Sequence, residues 1–283
     1  MHPPAAAVRD AVALALAEDL LPLGDLTASL LPEGAMARGA LVARGSGVLA
    51  GRRCAMEAFA QIDRAIEIEW TLDDGDDVAP GQVLAHVSGP LASVLTAERT
   101  ALNFLGHLSG VASLTQRYVD AVAQANPATR VWDTRKTTPG LRALEKAAVR
   151  AGGGVNHRGS LSEGVLVKDN HLTGMAIGDA VASARQLWPG RLLEVECDRI
   201  EQVTEAVAAG AGLVLLDNMD PDQVQACVAL VRQQGNARTL VEVSGRVSLE
   251  SVGDYARAGA DLISVGAITH SAPVLDIGLD VET

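Results

Sequence analysis

Aromatic residues are scarce in this sequence. They make up 2% of its 283 residues, so the core must be built mainly from Ala, Val, Leu and Ile. Proteins that bind single-stranded nucleic acids usually stack the bases on aromatic rings, and this composition disfavours such a surface. Hydrophobic residues still account for 48% of the chain and charged residues for 20%, a balance typical of globular proteins.

Positive charge is also in short supply. The chain has 23 Lys and Arg residues against 35 Asp and Glu residues, which gives a formal net charge of −12. The field of such a molecule repels nucleic acids and anionic membrane surfaces, so we expect neither of them as a partner. A local basic pocket remains compatible with this net charge.

The sequence also has few cysteines and lacks long apolar segments. The three cysteines, Cys54, Cys197 and Cys227, are odd in number and form no CxxC pair, so neither a disulfide framework nor a zinc knuckle is indicated. The apolar run at residues 11–17 ends at two acidic residues and is too short for a signal peptide or a membrane span. We therefore expect a cytoplasmic protein.

The first third of the chain has a mixed α+β pattern. An Ala-rich helix is predicted at about residues 5–19, and strand-like segments follow at 40–50 and 66–72. From about residue 93 to residue 125, apolar residues recur every three or four positions, which predicts a long helix.

The rest of the chain alternates between short apolar runs and segments with helical spacing. Six runs recur, at residues 130–133, 164–168, 192–196, 213–217, 240–244 and 262–266. Near-continuous apolar strands separated by helices indicate a parallel sheet that is buried on both faces. A complete eight-stranded βα barrel usually needs about 250 residues, so we predict an α/β fold with an incomplete barrel of six or seven strands. A doubly wound sheet is the alternative, but no GxGxxG motif follows the first strand.

Charged residues gather at the predicted carboxyl ends of these strands, where βα barrels place their active sites. The six ends carry, in order, Asp133 with Arg135 and Lys136, then Lys168-Asp-Asn-His, then Glu196, Asp217-Asn218, Ser244-Gly245 and Gly266-Ala267. Ordinary turns would supply Gly, Asn, Asp and Ser at such positions. Cations at two strand ends and carboxylates at two others instead favour a functional site.

The segment from Arg135 to Lys168 is basic, with seven Lys and Arg residues against two Glu residues. Three of the cations are spaced four apart on a predicted helix (Arg142, Lys146 and Arg150), and four lie elsewhere (Arg135, Lys136, Arg158 and Lys168). We interpret the helical three as a solvated helix face. The other four predict a pocket for a polyanion, because guanidinium groups bind carboxylates bidentately and lysines bind phosphates as point charges.

The two carboxylates and the glycine turns suggest complementary tasks. Glu196 and Asp217, facing a phosphorylated substrate, would bind Mg²⁺ or sugar hydroxyl groups. The turns at Ser244-Gly245 and Gly266-Ala267 follow the last two strands, where barrels commonly bind phosphate through main-chain N–H groups.

Three motifs resemble a known family. They are Asp133-Thr-Arg-Lys-Thr-Thr-Pro-Gly-Leu-Arg, Gly152-Gly-Gly-Val-Asn-His-Arg and Val167-Lys-Asp-Asn-His. They are similar to those of quinolinate phosphoribosyltransferase, also called nicotinate-nucleotide pyrophosphorylase (carboxylating). The similarity covers nearly the whole chain and is strongest from residue 97 onward.

This resemblance implies an N-terminal α/β sandwich domain at residues 1–110, a βα-barrel catalytic domain at 111–269, and a C-terminal tail at 270–283 that packs back on the N-terminal domain. It also implies a homodimer with shared active sites. Members of the family use quinolinate, phosphoribosyl pyrophosphate and Mg²⁺ to make nicotinate mononucleotide, CO₂ and pyrophosphate in NAD biosynthesis.

The resemblance also assigns roles to individual residues. Arg135, His157, Arg158 and Lys168 would hold the two carboxylates of quinolinate, with Arg99 reaching the same pocket from the neighbouring subunit. Lys136, Glu196 and Asp217 would be catalytic, the first toward the phosphoribosyl donor and the other two toward its ribose and Mg²⁺. Ser244, Gly245, Gly266 and His270 would line the 5′-phosphate end.

Some features leave alternatives open. Arg246 follows Ser-Gly where the family usually has a small or neutral residue, and residues 159–163 also depart from the common pattern. Without the resemblance, His157 could equally be a loop histidine whose hydrogen bonds are satisfied within the protein. A related phosphoribosyltransferase acting on another pyridine carboxylate is the alternative enzyme. A non-catalytic anion-binding protein is the alternative of another class, but it would be expected to have lost Lys136, Glu196 or Asp217.

Overall fold

The structure is a computed structural model that describes residues 2–234 and 239–282. The chain divides into two compact units. The first comprises Met1–Gln116, Thr137–Gly153 and Ala267–Thr283, and the second comprises Arg117–Lys136 and Gly154–Gly266.

The helices and strands follow one another in the order that the sequence patterns suggest. From the N-terminus the chain forms α1 (Ala5–Leu20), β1 (Met36–Ala43), β2 (Gly47–Val48), α2 (Arg52–Ile62), β3 (Glu67–Trp70), β4 (Asp77–Val78), β5 (Val83–Pro90) and α3 (Leu91–Ala125). It continues with β6 (Arg130–Trp132), α4 (Arg142–Ala151), β7 (Gly164–Val167), α5 (Ile177–Leu187), β8 (Leu192–Cys197), α6 (Ile200–Ala209), β9 (Leu213–Asp217) and α7 (Pro221–Gln233). The last elements are β10 (Leu240–Ser244), α8 (Val252–Arg257), β11 (Leu262–Ser264), α9 (Ala267–His270) and β12 (Ile277–Glu282).

The first unit contains a four-stranded antiparallel sheet with the strand order β12-β1-β5-β3. Strand β12 pairs with β1 from Arg38, opposite Glu282, to Ala43, opposite Ile277. Helices α1 and α2 pack against each other in the same unit. The predicted strand at 40–50 is only partly right, because the chain bends after Ala43 and resumes as the short strand β2, which pairs with β4.

Helix α4, in the first unit, corrects our interpretation of the basic helix face. Lys146 is 7% exposed and therefore buried, whereas we expected it to be solvated. The neighbouring Glu145 is 0% exposed, lies 2.8 Å from Nε2 of His107, and accepts a hydrogen bond from the main chain of Thr138. The four-residue spacing of the cations on this helix was therefore not a guide to which of them are exposed to solvent.

Glycines let segments of the first unit approach each other closely. A Cβ atom on Gly110 of α3 would lie 2.1 Å from the carbonyl oxygen of Pro273, and one on Gly152 would lie 2.2 Å from that of Ala112. Real Cβ atoms do not come this close to a main-chain oxygen, so both positions require glycine.

The second unit is built on a six-stranded parallel sheet with the order β6-β11-β10-β9-β8-β7. Its strands are apolar and buried because helices cover a parallel sheet; the run from Leu213 to Leu216 is at most 5% exposed. All six predicted strands are present within two residues of their predicted bounds. Val155 adds an isolated parallel bridge to Trp132 at the β6 edge. Within the described residues, β6 and β7 remain edge strands and no closed barrel forms, as predicted for an incomplete one.

The longest helix, α3, has 35 residues. In the described part of the chain, neither α3 nor any other helix combines the length and apolar character that crossing a bilayer would require.

Candidate active site

A cavity of about 640 Å³ lies in the second unit, at the carboxyl ends of the parallel strands. Nine of the predicted site residues line it: Arg135, Lys136, His157, Arg158, Lys168, Glu196, Asp217, Ser244 and Gly245. These residues lie at the carboxyl ends of β8 to β10 or in the segments after β6, β7 and β10, so the charged strand ends meet at one space. Opposite charges far apart in the sequence therefore share one cavity.

Four cations that the sequence assigned to a polyanion pocket line this cavity: Arg135, Lys136, Arg158 and Lys168. The Nη1 atom of Arg158 donates to the carbonyl oxygen of Gly164 at 2.9 Å. Burial lowers the pKa of the Arg158 guanidinium, and the positive charge of Arg135 lowers it further, against the opposing effect of Glu194. A guanidinium whose charge is disfavoured by burial and by a second cation is one that a bound anion would stabilise.

Lys168 follows β7 and points toward the end of the neighbouring strand β8. Its ammonium group donates to the carboxylate of Glu196, whose side chain is 16% exposed. The main-chain N–H of Lys168 donates to Nδ1 of His171 at 3.0 Å, within the short 3-10 turn Asp169–Leu172. The turn therefore holds the backbone of Lys168 at the cavity.

His157 lies over two buried carboxyl groups. Its Nε2 atom is 3.0 Å from Oε2 of Glu194 and 3.6 Å from Oε2 of Glu242, and both glutamate side chains are at most 2% exposed. The other ring nitrogen, Nδ1, accepts the main-chain N–H of Arg158 at 2.7 Å. The ring also meets Trp132 edge-on, with the ring centroids 4.8 Å apart.

The same cluster retains a proton at neutral pH. Burial lowers the pKa of His157, but its contacts with Glu194 and Glu242 outweigh this effect and raise it to about 9. Burial raises the pKa of Glu242 to about 7, although His157 and Ser264 oppose the shift. Because the groups touch, the raised values belong to the cluster as a whole and not to one residue.

The turn after β10 has a backbone that only glycine adopts easily. Gly245 has a φ of +118°, and a Cβ atom there would lie 2.5 Å from Oδ1 of Asn218. Asn218 itself has a φ of 58° and donates its main-chain N–H to the carbonyl oxygen of Ser244. The ends of β9 and β10 are thus packed tightly at the mouth of the cavity.

Three predicted site residues are not among the described residues that line this cavity: Arg99, Gly266 and His270. Arg99 is exposed on α3 in the first unit. His270 is exposed in the same unit, where its Nδ1 atom lies 2.7 Å from the hydroxyl group of Ser271. Gly266 follows β11 at the boundary of the second unit.

Sequence reasoning missed several lining residues. They are Thr134, Leu166, Leu215, Glu242 and Ser264, together with Asn218, which we placed at a strand end without giving it a role, and Arg246, which we described only as a departure from the family pattern. The alternation of side chains along a strand could have identified some of them, because residues two apart on a strand face the same side of the sheet. Glu242 is two residues before Ser244, and Leu215 is two residues before Asp217.

Two groups of residues in the described part of the chain offer oxygen or nitrogen ligands to a metal. Glu196 and Asp217 line the cavity itself, and their carboxylates suit Mg²⁺ shared with substrate oxygens. The ligand atoms of His157, Glu194 and Glu242 lie within 4.8 Å of one another. A metal on Nε2 of His157 would move the ring proton to Nδ1, toward the N–H of Arg158, so we assign no metal to this second group.

Two family models match the chain. The model for the N-terminal domain of quinolinate phosphoribosyl transferase matches residues 25–109, and the model for its C-terminal domain matches residues 111–280. The chain belongs to the quinolinate phosphoribosyltransferase family.

Individual members of the family are similar to this chain over nearly its whole length. The chain is 42% identical over 280 residues to the nicotinate-nucleotide pyrophosphorylase [carboxylating] of Mycobacterium leprae, with 97% of each chain covered. The solved structure of the nicotinate-nucleotide pyrophosphorylase from Francisella tularensis superposes with a TM-score of 0.93 at 36% identity, covering 99% of this chain and 98% of that one. The structure of NadC from Streptococcus pyogenes has a TM-score of 0.93 at 35% identity, covering 100% and 99%.

Proposed function

We propose that this enzyme transfers the phosphoribosyl group of phosphoribosyl pyrophosphate to quinolinate with decarboxylation. The products are nicotinate mononucleotide, pyrophosphate and CO₂, and the reaction belongs to NAD biosynthesis. The observation that carries the proposal is the single cavity in which four cations meet Glu196 and Asp217. The family relationship and the carboxylating activity named for the Mycobacterium leprae relative support the same substrates.

The cations suit a substrate with two carboxylates. Arg135 and Arg158 would each bind a carboxylate through a planar guanidinium, and Lys168 would add a point charge. Substrate binding would also relieve the repulsion between the two arginines, which lowers the pKa of Arg158. A pyridine with one carboxylate would use fewer of these charges, and this favours quinolinate over nicotinate.

The other side of the cavity suits the phosphoribosyl donor. As pyrophosphate departs, positive charge develops on the ribose carbon, and the carboxylates of Glu196 and Asp217 would stabilise it. Lys136 would offset the negative charge of the departing pyrophosphate. Mg²⁺ held by Glu196 and Asp217 with donor oxygens would supply further charge neutralisation.

Decarboxylation follows from the bond that is formed. The pyridine nitrogen of quinolinate attacks the ribose carbon and becomes positively charged. The electron pair of the adjacent carbon–carboxylate bond can then stay on the ring as CO₂ leaves, and a proton replaces it. The positive charge of the adjacent pyridinium nitrogen stabilises this electron pair on the ring carbon until the proton arrives, so the step needs no organic cofactor.

The remaining assignments concern the phosphate end and the assembly. Ser244 and Gly245, which line the cavity, would bind the 5′-phosphate through the tight turn after β10. We further propose a homodimer in which Arg99 reaches the pocket of the neighbouring subunit, and its exposure on α3 is compatible with this role. We place the enzyme in the cytoplasm.

The direct test is incubation with quinolinate, phosphoribosyl pyrophosphate and Mg²⁺, followed by mass measurement of the product. We expect nicotinate mononucleotide, with CO₂ and pyrophosphate released in equal amounts. Nicotinate as the acceptor is the matched control, because it gives the same nucleotide without CO₂. Turnover of nicotinate but not of quinolinate would favour the alternative phosphoribosyltransferase.

A further inference from the structure

The imidazole of His157 is engaged at both nitrogens by groups of the protein. Nδ1 accepts the N–H of Arg158 at 2.7 Å, and Nε2 lies 3.0 Å from the carboxyl group of Glu194. The side chain is only 9% exposed. A ring nitrogen that already has a partner is poorly placed to bind a carboxylate of the substrate.

The hydrogen bond at Nδ1 determines where the protons of the cluster lie. A cationic imidazole would carry a proton on Nδ1, pointing at the N–H of Arg158, and two donors would then face each other. A neutral ring with its proton on Nε2 accepts that N–H and donates to Glu194. Moving the second proton from the ring to a glutamate keeps the total proton count unchanged.

Glu242 is the residue suited to hold that second proton. Both glutamates have one buried carboxyl oxygen without a hydrogen-bond partner among the described residues, Oε1 of Glu194 and Oε2 of Glu242. The ring donates to Glu194 at 3.0 Å but is 3.6 Å from Oε2 of Glu242, whose other oxygen accepts the hydroxyl of Ser264, so the ring proton stabilises an ionised Glu194 better than an ionised Glu242. An ionised oxygen without a donor is costly at such a place, and protonation removes the charge. The raised pKa of Glu242, about 7, agrees with this arrangement, whereas the raised pKa of His157, about 9, would place the shared proton on the ring. The hydrogen bond that Nδ1 accepts decides between them, because a protonated Nδ1 cannot accept the N–H of Arg158.

The backbone on either side of the ring is fixed as well. The main-chain N–H of His157 donates to the carboxylate of Asp133 at 2.8 Å, and Asp133 is 0% exposed. The edge-on contact with Trp132 limits rotation of the ring. The residue held by Nδ1 is Arg158, whose guanidinium lines the cavity.

We propose that His157 is a positioning residue: its neutral imidazole links the main chain of Arg158 to the buried carboxyl groups of Glu194 and Glu242 and thereby holds the Arg158 guanidinium against the substrate. This inference rests on the proposed function, because it specifies which side chain contacts the quinolinate carboxylate. It assigns that contact to Arg158 and withdraws it from His157.

The ring state can be measured without substrate. In ¹⁵N NMR of the labelled protein, with His157→Asn used to assign the signals, a neutral ring gives two well-separated nitrogen resonances. An imidazolium gives two resonances close together. We expect the separated pair at pH 7, with Nε2 protonated. The groups facing the ring that could change this state are Glu194, Glu242, Asp133 and Arg158. An imidazolium pattern would overturn the inference.

Kinetics then test whether His157 acts through Arg158. The amide oxygen of His157→Asn can still accept the Arg158 N–H, so KM for quinolinate should stay within about threefold of wild type. His157→Ala should raise it about tenfold or more, the effect of a lost hydrogen bond or greater. In an Arg158→Lys background, which lacks the guanidinium, His157→Ala should add little. Equal losses in the Asn and Ala variants, or independent effects of the two residues, would contradict the proposal.

The two proposals fail in different ways. If the wild-type enzyme does not turn over quinolinate with phosphoribosyl pyrophosphate, the proposed function is wrong. In that case the NMR pattern and calorimetry with quinolinate still report on the ring state and on the coupling between His157 and Arg158. If turnover occurs but the ring is cationic, only the positioning role is wrong.

Discussion

The ammonium group of Lys168 donates to the carboxylate of Glu196, so two cavity residues at the ends of the neighbouring strands β7 and β8 neutralise each other. An anionic substrate that uses Lys168 must compete with this carboxylate. The positive charge of Lys168 is therefore partly neutralised before quinolinate binds. The pair also connects the proposed quinolinate side of the cavity, at Lys168, with the proposed phosphoribosyl pyrophosphate side, at Glu196.

Replacing Glu196 with Gln should separate binding from turnover. Quinolinate should bind as tightly as to wild type, or up to about tenfold more tightly, because Lys168 loses its anionic competitor. Turnover should fall roughly 100-fold or more, because a group that stabilises the developing positive charge is lost. Calorimetry with quinolinate alone and steady-state kinetics measure the two effects. Weaker binding together with unchanged kcat would contradict this division of roles.

Truncating the cations should remove quinolinate binding without unfolding the protein. We expect Arg158→Ala or Lys168→Ala to weaken binding by about 2–5 kcal/mol, the usual loss when one member of a desolvated charge pair is removed. Calorimetry gives the affinity, and circular dichroism gives the state of the fold.

The matched control is Arg257→Ala on α8 of the same unit. Arg257 is 62% exposed and pairs only with Asp254 on its own helix in the described structure, so its removal should leave the affinity unchanged. Unchanged affinity in the Arg158 and Lys168 variants would refute the assignment of these cations.

The strands of the second unit could be predicted closely from the sequence. Each is an apolar run such as residues 213–217, and each ends in a polar or glycine turn, so local pattern and tertiary environment agree. The same logic located the cavity, because the carboxyl ends of parallel strands must meet at one edge. Nine of the residues predicted from the strand ends and from the resemblance line this cavity.

The buried charges could not be predicted in the same way. Glu194 and Glu242 read as polar interruptions in apolar strands, and only the fold brings them to His157. Lys146 has the spacing of a surface residue on a helix, yet it is buried. Such burial depends on partners distant in the sequence, and a periodic pattern carries no information about them.

The turn at Gly245 predicts how a substitution there would affect binding of phosphoribosyl pyrophosphate. Gly245→Ala would place a Cβ atom 2.5 Å from Oδ1 of Asn218 at a φ of +118°, so the turn must shift. KM for phosphoribosyl pyrophosphate should rise about tenfold or more, whereas KM for quinolinate should change little, since strain of about 1–3 kcal/mol is expected at such a position. Gly174→Ala is the control: its φ is also positive, at +77°, but nothing lies within 4 Å of the added atom. Equal effects of the two variants on the donor KM would contradict the assigned role.

The raised pKa of Glu242 predicts a pH dependence of stability. Burial raises this pKa from 4.5 to about 7, so the folded protein binds the proton more tightly than the unfolded chain does. Stability from this group is therefore fully present below about pH 4.5 and is lost as the pH rises through about 7.

Glu242→Gln removes the titration while keeping the shape of the side chain. The free energy of unfolding of wild type, measured by urea denaturation relative to this variant, should fall between pH 5 and pH 8. A difference that is constant over this range, or that grows with pH, would show that Glu242 is not the group that holds the proton.

The close approach at Gly110 predicts a large loss of stability in the first unit. A methyl group there would lie 2.1 Å from the carbonyl oxygen of Pro273, and both atoms belong to main-chain segments that cannot move aside cheaply. We expect Gly110→Ala to destabilise the protein by about 1–3 kcal/mol or more, the usual range for overpacking. Gly178→Ala in α5 is the control, because nothing lies within 4 Å of its added atom and alanine favours a helix by up to about 1 kcal/mol. Thermal unfolding should give a lower Tm for the first variant and an equal or higher Tm for the second; a Tm that is unchanged by Gly110→Ala would mean that the contact with Pro273 is looser than the structure has it.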